Sequence, residues 1–332
     1  MKIGYLGTGA WGFALSCMLA KKGHEVIAWS VFADQVERIN SGKDHPSLPG
    51  HTAPKGLRLT TDLKEALTGC DLVVESVTAA GIRDVFLQVK EVGIPDCPII
   101  LTSKGIEQDT CHILSEILIE VLGENSRKQI GSLSGPSFAN DVVQGLPTSV
   151  VMSAYDPEVM EMAARVFRNE SFRIYTNPDI KGVSLGGALK NIAAIACGIA
   201  EGLGMGMSAR AALMTRGLHE MTRLAVACGA KRETLYGLSG MGDLCLTCNS
   251  ETSRNFQFGM LLAKGNGSDE AKKKIGMAVE GAYTAKSALQ LSQKYNLQMP
   301  ITQGVYSIIY ENLSPKVAAS AVMNQPIKEE LL

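Results

Sequence analysis

The sequence predicts an α/β protein, a doubly wound sheet followed by an all-helical C-terminal domain. Three observations carry that expectation. Short β-rich runs alternate with helical patterns as far as Tyr175. A glycine-rich turn stands between the first of these strands and the helix that follows. After Asn177-Pro178-Asp179 the strands stop and only helical patterns remain. A chain of 332 residues also exceeds what one core normally encloses. The division is therefore placed at residue 180, giving an α/β domain over 1–180 and a helical domain over 181–332.

Taken in order, Lys2–Leu6 reads as a strand and Ala14–Lys22 carries apolar residues at helical spacing. Glu25–Trp29 is a second strand. Ser41–Leu57, with three prolines and three glycines, is expected to be an irregular loop. Leu63–Thr68 is helical and Leu72–Val77 is the third strand. Ile99–Thr102, Ile130–Ser134, Thr148–Met152 and Phe172–Tyr175 continue the series, with helices over 83–91, 110–122 and 157–168. The second domain reads as helices over Ser184–Leu203, Ala209–Cys228, Ser253–Lys264, Thr284–Tyr295 and Ile301–Glu311. The last few residues are expected to fray.

Composition removes several function classes. Lys plus Arg is 32 against 33 for Asp plus Glu, so no basic excess exists to neutralise a nucleic-acid backbone. No uncharged apolar run approaches the roughly 18 residues of a transmembrane helix, so no stable membrane insertion is expected. Eight cysteines lie scattered, mostly in apolar segments, as buried thiols do in a reducing compartment, and a cytoplasmic location is expected. Cys245 and Cys248 form a CxxC without a second pair or a nearby histidine. The histidines at 24, 45, 51, 112 and 219 make no ligand or triad grouping, so no metal site is expected. Glycine, at 34 residues against 12 prolines, must serve turns, close helix contacts or approach to a ligand.

The first of those glycine clusters is Gly7-Thr8-Gly9-Ala10-Trp11-Gly12, directly after the first strand and opening a helix. Gly7 permits the turn, Gly9 lets backbone approach a pyrophosphate, and Gly12 lets helix pack on strand. The helix-start amides from Ala10 onward would bind the phosphates. This is a Rossmann-like fingerprint in its required strand–turn–helix context. The second strand ends near Ser30, where an acid would hold the ribose hydroxyls of NAD. Asp34 lies about a turn further on, and no adjacent arginine marks NADP. Ser30 accommodates either ribose, so the cofactor is NAD(H) or NADP(H).

Lys190 stands in Gly186-Gly-Ala-Leu-Lys190-Asn191-Ile, an otherwise small and apolar helix. Desolvation there lowers a lysine pKa and makes it a proton carrier for a substrate oxygen; the alternative is a lysine snorkelling to the surface. Asp243, in Gly240-Met-Gly242-Asp243, could pair with Lys190, bond a substrate hydroxyl, or merely cap a turn. Ser253, Arg254 and Asn255 open a helix, where amides and an arginine make a phosphate site or an ordinary capped terminus. Lys104, after the strand ending at Thr102, should lie at the ligand edge of the sheet. Gly135 and Ser137 follow the strand ending at Ser134 and reach the same edge.

With these motifs in order along nearly the whole chain, the sequence resembles the NAD(P)-dependent glycerol-3-phosphate dehydrogenases of the bacterial biosynthetic type. The resemblance rests on Gly7–Gly12, Ser103-Lys-Gly105, Ser134-Gly-Pro-Ser-Phe-Ala139, Gly186-Gly-Ala-Leu-Lys-Asn191 and Gly240-Met-Gly-Asp243. Leu246-Thr-Cys-Asn, Ser253-Arg-Asn255, Val279-Glu-Gly281 and Met299-Pro-Ile301 complete it. It implies reduction of dihydroxyacetone phosphate to sn-glycerol 3-phosphate for glycerophospholipid synthesis, by a homodimer. It implies Lys190 as the proton acceptor in the oxidation direction and Lys104 in touch with both cofactor and substrate. Gly135, Ser137, Asp243, Ser253, Arg254 and Asn255 match substrate-contacting positions; Trp11, Ala139, Arg254, Ala278 and Glu280 match cofactor-contacting ones. Two departures stand out: Val77-Thr78-Ala79 where the family often has Val-Pro-Ser or Val-Pro-Thr, and no basic or histidine side chain near Ser30-Val31.

Overall fold

The computed structural model describes residues 1–324; the frayed end expected beyond them lies outside the described residues. Eight strands form one sheet: β1 (Lys2–Leu6), β2 (Glu25–Trp29), β3 (Leu57–Thr60), β4 (Leu72–Glu75), β5 (Ile99–Leu101), β6 (Ile130–Ser134), β7 (Thr148–Ala154) and β8 (Phe172–Thr176). Their order is β3-β2-β1-β4-β5-β6-β7-β8. The chain thus leaves β1 toward both β2 and β4, and the crevice at that reversal is where open α/β sheets bind ligands. Leu6 pairs with Trp29 on one side and Glu75 on the other, so Gly7 emerges inside the crevice.

Between these strands lie α1 (Ala10–Lys21), α2 (Ala33–Asn40), α3 (Leu63–Leu67), α4 (Ile82–Val92), α5 (Leu114–Leu122), α6 (Ala139–Val143) and α7 (Pro157–Phe167). Both sheet faces are covered. Ile3, Tyr5, Val26 and Val74 pack with Phe13, Leu15 and Leu19 of α1 and with Phe167 of α7. Leu6, Val73, Ile99 and Leu101 pack with Phe86 and Val89 of α4 and with Ile117 and Leu118 of α5. Burial on both faces explains why these strands read as continuous apolar runs.

Several boundaries differ from the sequence expectation. Helix α2 and strand β3 were not anticipated; β3 is a four-residue edge strand, Leu-Arg-Leu-Thr, behind Pro54 and Gly56, and the pattern alone was too short to register. The strand expected over Leu72–Val77 ends at Glu75, because the N–H of Val77 turns to the Glu75 carboxylate. The helix expected from residue 110 begins at Leu114, since Asp109 and Cys111 hold positive φ values of 69° and 60°, incompatible with an α-helix. Strand β7 runs antiparallel to β6. The intervening segment holds only the five-residue α6, too little for the helical crossover that a parallel return requires.

The remaining elements are helices: α8 (Ile180–Gly202), α9 (Gly206–Ala227), α10 (Arg232–Leu235), α11 (Asp243–Cys248), α12 (Arg254–Ala263), α13 (Ser268–Ile275), α14 (Glu280–Lys294), α15 (Pro300–Tyr310) and α16 (Pro315–Met323). They enclose α8. A Cβ on Gly198 would sit 2.0 Å from the carbonyl oxygen of Phe256, and one on Gly259 2.2 Å from that of Ile195. Helices α8 and α12 therefore meet backbone to backbone, which only glycine permits. By length and mean composition α8 could cross a membrane, although Lys181, Lys190 and Glu201 interrupt it. Its most apolar window is 94% buried inside the protein, so it is a core helix.

Candidate active site

The glycine-rich turn has the shape that a pyrophosphate needs. Gly7 adopts φ +96° with its α-carbon against Ser76, where a Cβ would fall 2.6 Å from the carbonyl oxygen. A Cβ on Gly12 would fall 2.1 Å from the Gly7 carbonyl oxygen, so α1 and the turn are in direct contact. Gly9 is different: nothing lies within 4 Å of where its Cβ would be. That is open space over the start of α1, whose cap, Gly9, contributes no side-chain hydrogen bond to the first-turn amides. Trp11 adds a buried Nε1 without a partner. These features fit a dinucleotide held by Gly7, Gly9, Ala10, Trp11 and Gly12. Ser30, at the end of β2, is buried and donates to Gln35 Oε1 at 3.2 Å. Gln35 Nε2 in turn donates to the Thr8 carbonyl at 2.8 Å, which ties Ser30 to the glycine turn.

The proposed acid–base group stands on α8, which packs against β6. Lys190, on α8, is 6% exposed. Its Nζ stands 2.9 Å from Asp243 Oδ1 and donates to Thr247 Oγ1 at 2.6 Å. Burial is the larger influence and pulls the Lys190 pKa down to about 8, against the attraction of Asp243 and with help from the Lys104 charge. Asp243 is 1% exposed and opens α11 rather than lying in a loop. Its Oδ2 accepts from Lys104 Nζ at 2.5 Å. Burial alone would raise the Asp243 pKa, but the two ammonium groups, Lys104 foremost, outweigh it and hold the carboxyl below its ordinary value. Lys104 also donates to the Gly135 carbonyl at 3.1 Å, and Ser137 Oγ donates to that same oxygen at 3.0 Å. Gly187 makes room for the cluster; a Cβ there would sit 3.4 Å from the Lys104 stem and 2.4 Å from Ser134 Oγ.

The third group surrounds the start of α12. Ser253 caps the helix, accepting from the Phe256 amide at 3.3 Å. Asn255 is buried and spans two helices: Nδ2 donates to Asn191 Oδ1 at 2.9 Å, and Oδ1 accepts from the Gly281 amide at 2.9 Å. One Nδ2 hydrogen is left for a ligand. Arg254 is exposed and donates to the carbonyl of Ala278 at 3.0 Å. Glu280 accepts from the Ala79 amide at 3.4 Å, and burial pushes its carboxyl up to about 7 against the pull of that amide and of Arg254. Ala139 begins α6, beside the loop that carries Gly135 and Ser137.

The comparisons with known proteins identify the family of the chain. Residues 2–160 match the model of the NAD-dependent glycerol-3-phosphate dehydrogenase N-terminus, and residues 179–320 that of its C-terminus. The glycerol-3-phosphate dehydrogenase (NAD(P)+) of Protochlamydia amoebophila is 55% identical over 331 residues, covering 100% of this chain and 99% of that protein. The chain belongs to the NAD-dependent glycerol-3-phosphate dehydrogenase family. The enzyme of the same name from Chlamydia pneumoniae is 51% identical over 330 residues, 99% of each chain. A crystal structure of glycerol-3-phosphate dehydrogenase from Coxiella burnetii superposes with a TM-score of 0.93 at 37% identity, covering 98% of this chain and 99% of that one. As a member of the glycerol-3-phosphate dehydrogenase family, the protein is an oxidoreductase with a Rossmann-like domain for NAD(P).

Within this glycerol-3-phosphate dehydrogenase fold, Lys104, Gly135, Ser137, Lys190 and Asp243 are joined by one chain of hydrogen bonds and ion pairs. Ser253, Arg254 and Asn255 share one helix start, with Arg254 reaching Ala278 and lying beside Glu280. Sequence reading missed Thr247, which accepts from Lys190 while its own hydroxyl donates to the Asp243 carbonyl at 2.6 Å. The signal was present: Thr247 follows Asp243 by four residues, one helical turn. It also missed Glu75, a buried carboxylate whose position only the strand pairing reveals.

Proposed function

We propose that the protein reduces dihydroxyacetone phosphate to sn-glycerol 3-phosphate and so supplies glycerophospholipid synthesis. Residues 1–180 would act as the cofactor domain and 181–332 as the substrate and catalytic domain, in a cytoplasmic homodimer. The observation that carries the reading is the buried Lys190–Asp243 pair at 2.9 Å, with Lys104 on the other carboxylate oxygen. Two ammonium groups around one carboxylate leave a net positive pocket, which stabilises an alkoxide more than it stabilises the parent ketone. Nicotinamide, when bound, supplies the hydride.

Lys190 delivers its proton to the forming alkoxide and in the reverse direction receives one from the alcohol. Asp243 keeps the Lys190 ammonium populated and points it, while Thr247 fixes the same nitrogen from a second side. Lys104 places a positive charge beside the reacting oxygen from the sheet edge. Arg254 and the α12 start amides take the phosphate, with the remaining Asn255 hydrogen, so the carbonyl is oriented before proton transfer. Gly7, Gly9, Ala10, Trp11, Gly12, Ser30, Ala139, Ala278 and Glu280 hold the dinucleotide.

The test is oxidation of NADH and of NADPH with dihydroxyacetone phosphate, in parallel with unphosphorylated and carboxylated ketones. Turnover that requires the phosphorylated ketone supports the reading. Equal rates with ketopantoate or a β-ketoacid would replace it, and dinucleotide binding without any substrate-dependent oxidation would leave only a binding protein.

A further inference from the structure

Glu75 has no part in the chemistry above, yet it is built into the crevice. It closes β4 with 0% exposure, on the face that Val73 shares with the α4 side of the sheet. Its Oε1 accepts from the Val77 amide at 2.5 Å and from Ser103 Oγ at 2.8 Å. Its Oε2 is buried with no partner, and burial pushes the carboxyl up to about 7. A buried acid with an unsatisfied oxygen costs stability that an apolar side chain would not.

What Glu75 joins is specific. Ser103 Oγ also lies against the Val77 carbonyl, so the turn after β4 and the segment after β5 share one hydrogen-bonded knot. Two residues on, a Cβ at Gly105 would fall 2.3 Å from Ala79 Cβ, so the two segments are packed flush. Lys104 lies between Ser103 and Gly105. At its far end the Nζ donates to the Gly135 carbonyl and to Asp243.

We propose that Glu75 is a positioning residue for the reaction: its carboxylate locks Ser103 to the Val77 turn and so holds Lys104 within reach of Asp243. The proposal rests on the role given to Lys104 above. A displacement of about 1 Å at such a group can cost up to ~10²-fold in rate, so the knot matters to turnover more than to ground-state binding.

The test compares Glu75→Ala, Glu75→Gln, Lys104→Ala and the double variant Glu75→Ala/Lys104→Ala in the full chain. Both kcat and the dissociation constant for NADH, from nucleotide fluorescence, are measured. Glu75→Ala should lower kcat by ~10-fold or more while NADH affinity moves by less than ~3-fold. Glu75→Gln should keep most of the turnover, because its amide oxygen accepts the same two hydrogen bonds. The double variant should be no slower than Lys104→Ala, since the two changes interrupt one chain of action. Losses that multiply, a Glu75→Gln as slow as Glu75→Ala, or an unchanged kcat in Glu75→Ala would each overturn the proposal. If Lys104→Ala is slow while Glu75→Ala is normal, the role of Lys104 survives and only the positioning fails. Normal turnover in Lys104→Ala removes both. Should Glu75→Ala not fold, Ser103→Ala, which removes only the hydroxyl of the knot, carries the same expectation.

Discussion

Lys104 Nζ and Asp243 Oδ2 meet at 2.5 Å, a contact between the segment that follows β5 and the first residue of a helix 139 positions later. The other oxygen of the same carboxylate holds Lys190. One buried carboxylate therefore couples the sheet to the helical layer and biases the charge of Lys190.

Removal of Lys190, the proposed proton carrier, gives the most direct prediction. Lys190→Ala should lose ~10²–10⁴-fold in kcat, the usual scale for an acid–base group, while still binding NADH. Single-turnover rates on folded protein, judged by circular dichroism, check it. Near-normal turnover would mean that another group carries the proton.

The pH dependence follows from the depressed Lys190 pKa of about 8. Alcohol oxidation needs the neutral amine, so kcat/KM in that direction should rise with pH and level off above about 8. Ketone reduction needs the ammonium, so its kcat/KM should be flat at lower pH and fall through the same value. Parallel pH profiles in the two directions would contradict the assignment.

Asp243→Asn should move that ionisation. Asp243 supplies the main attraction that opposes desolvation of Lys190, so losing its charge should carry the Lys190 pKa further down. Reduction should then decline at a lower pH than in the wild type, with a reduced maximum. The shift of the profile, rather than the loss of rate, is the diagnostic.

Phosphate recognition predicts a different kinetic signature. Arg254→Ala should raise the KM for dihydroxyacetone phosphate by ~10-fold or more while kcat changes less, as expected when a charge-assisted contact made in both ground and transition states is lost. Activity toward unphosphorylated dihydroxyacetone should be nearly insensitive. An unchanged KM for the phosphorylated ketone would remove Arg254 from the phosphate site.

Stability offers a test away from the chemistry. Gly198→Ala places a methyl 2.0 Å from a backbone carbonyl oxygen, where nothing flexible can yield, and should cost on the order of 1–3 kcal/mol. Gly267→Ala, with nothing within 4 Å, should cost less than about 1 kcal/mol. Urea denaturation of the two variants measures the contrast.

Local structure was legible in the chain because local spacing fixes it. The Gly7–Gly12 turn needs only its own residues and the strand before it. Lys190 could be singled out because its immediate neighbours are small and apolar, and burial followed. Ser253 was recognisable as a cap from its place before Arg254 and Asn255. Helix α2, strand β3 and the direction of β7 were not legible, since short segments take their pairing from neighbours distant in sequence.

By itself, then, the sequence determined the class of fold, the glycine-rich turn of the cofactor domain and the apolar surroundings of Lys190. Only the tertiary structure decided that Asp243 lies between Lys104 and Lys190, that Asn255 spends its carbonyl on Gly281, and that Glu75 is sealed beneath Ser103. The reason is physical. Propensities and turns act over a few residues, whereas the burial that shifts a pKa and the meeting of charges depend on which segments the sheet order and helix packing bring together.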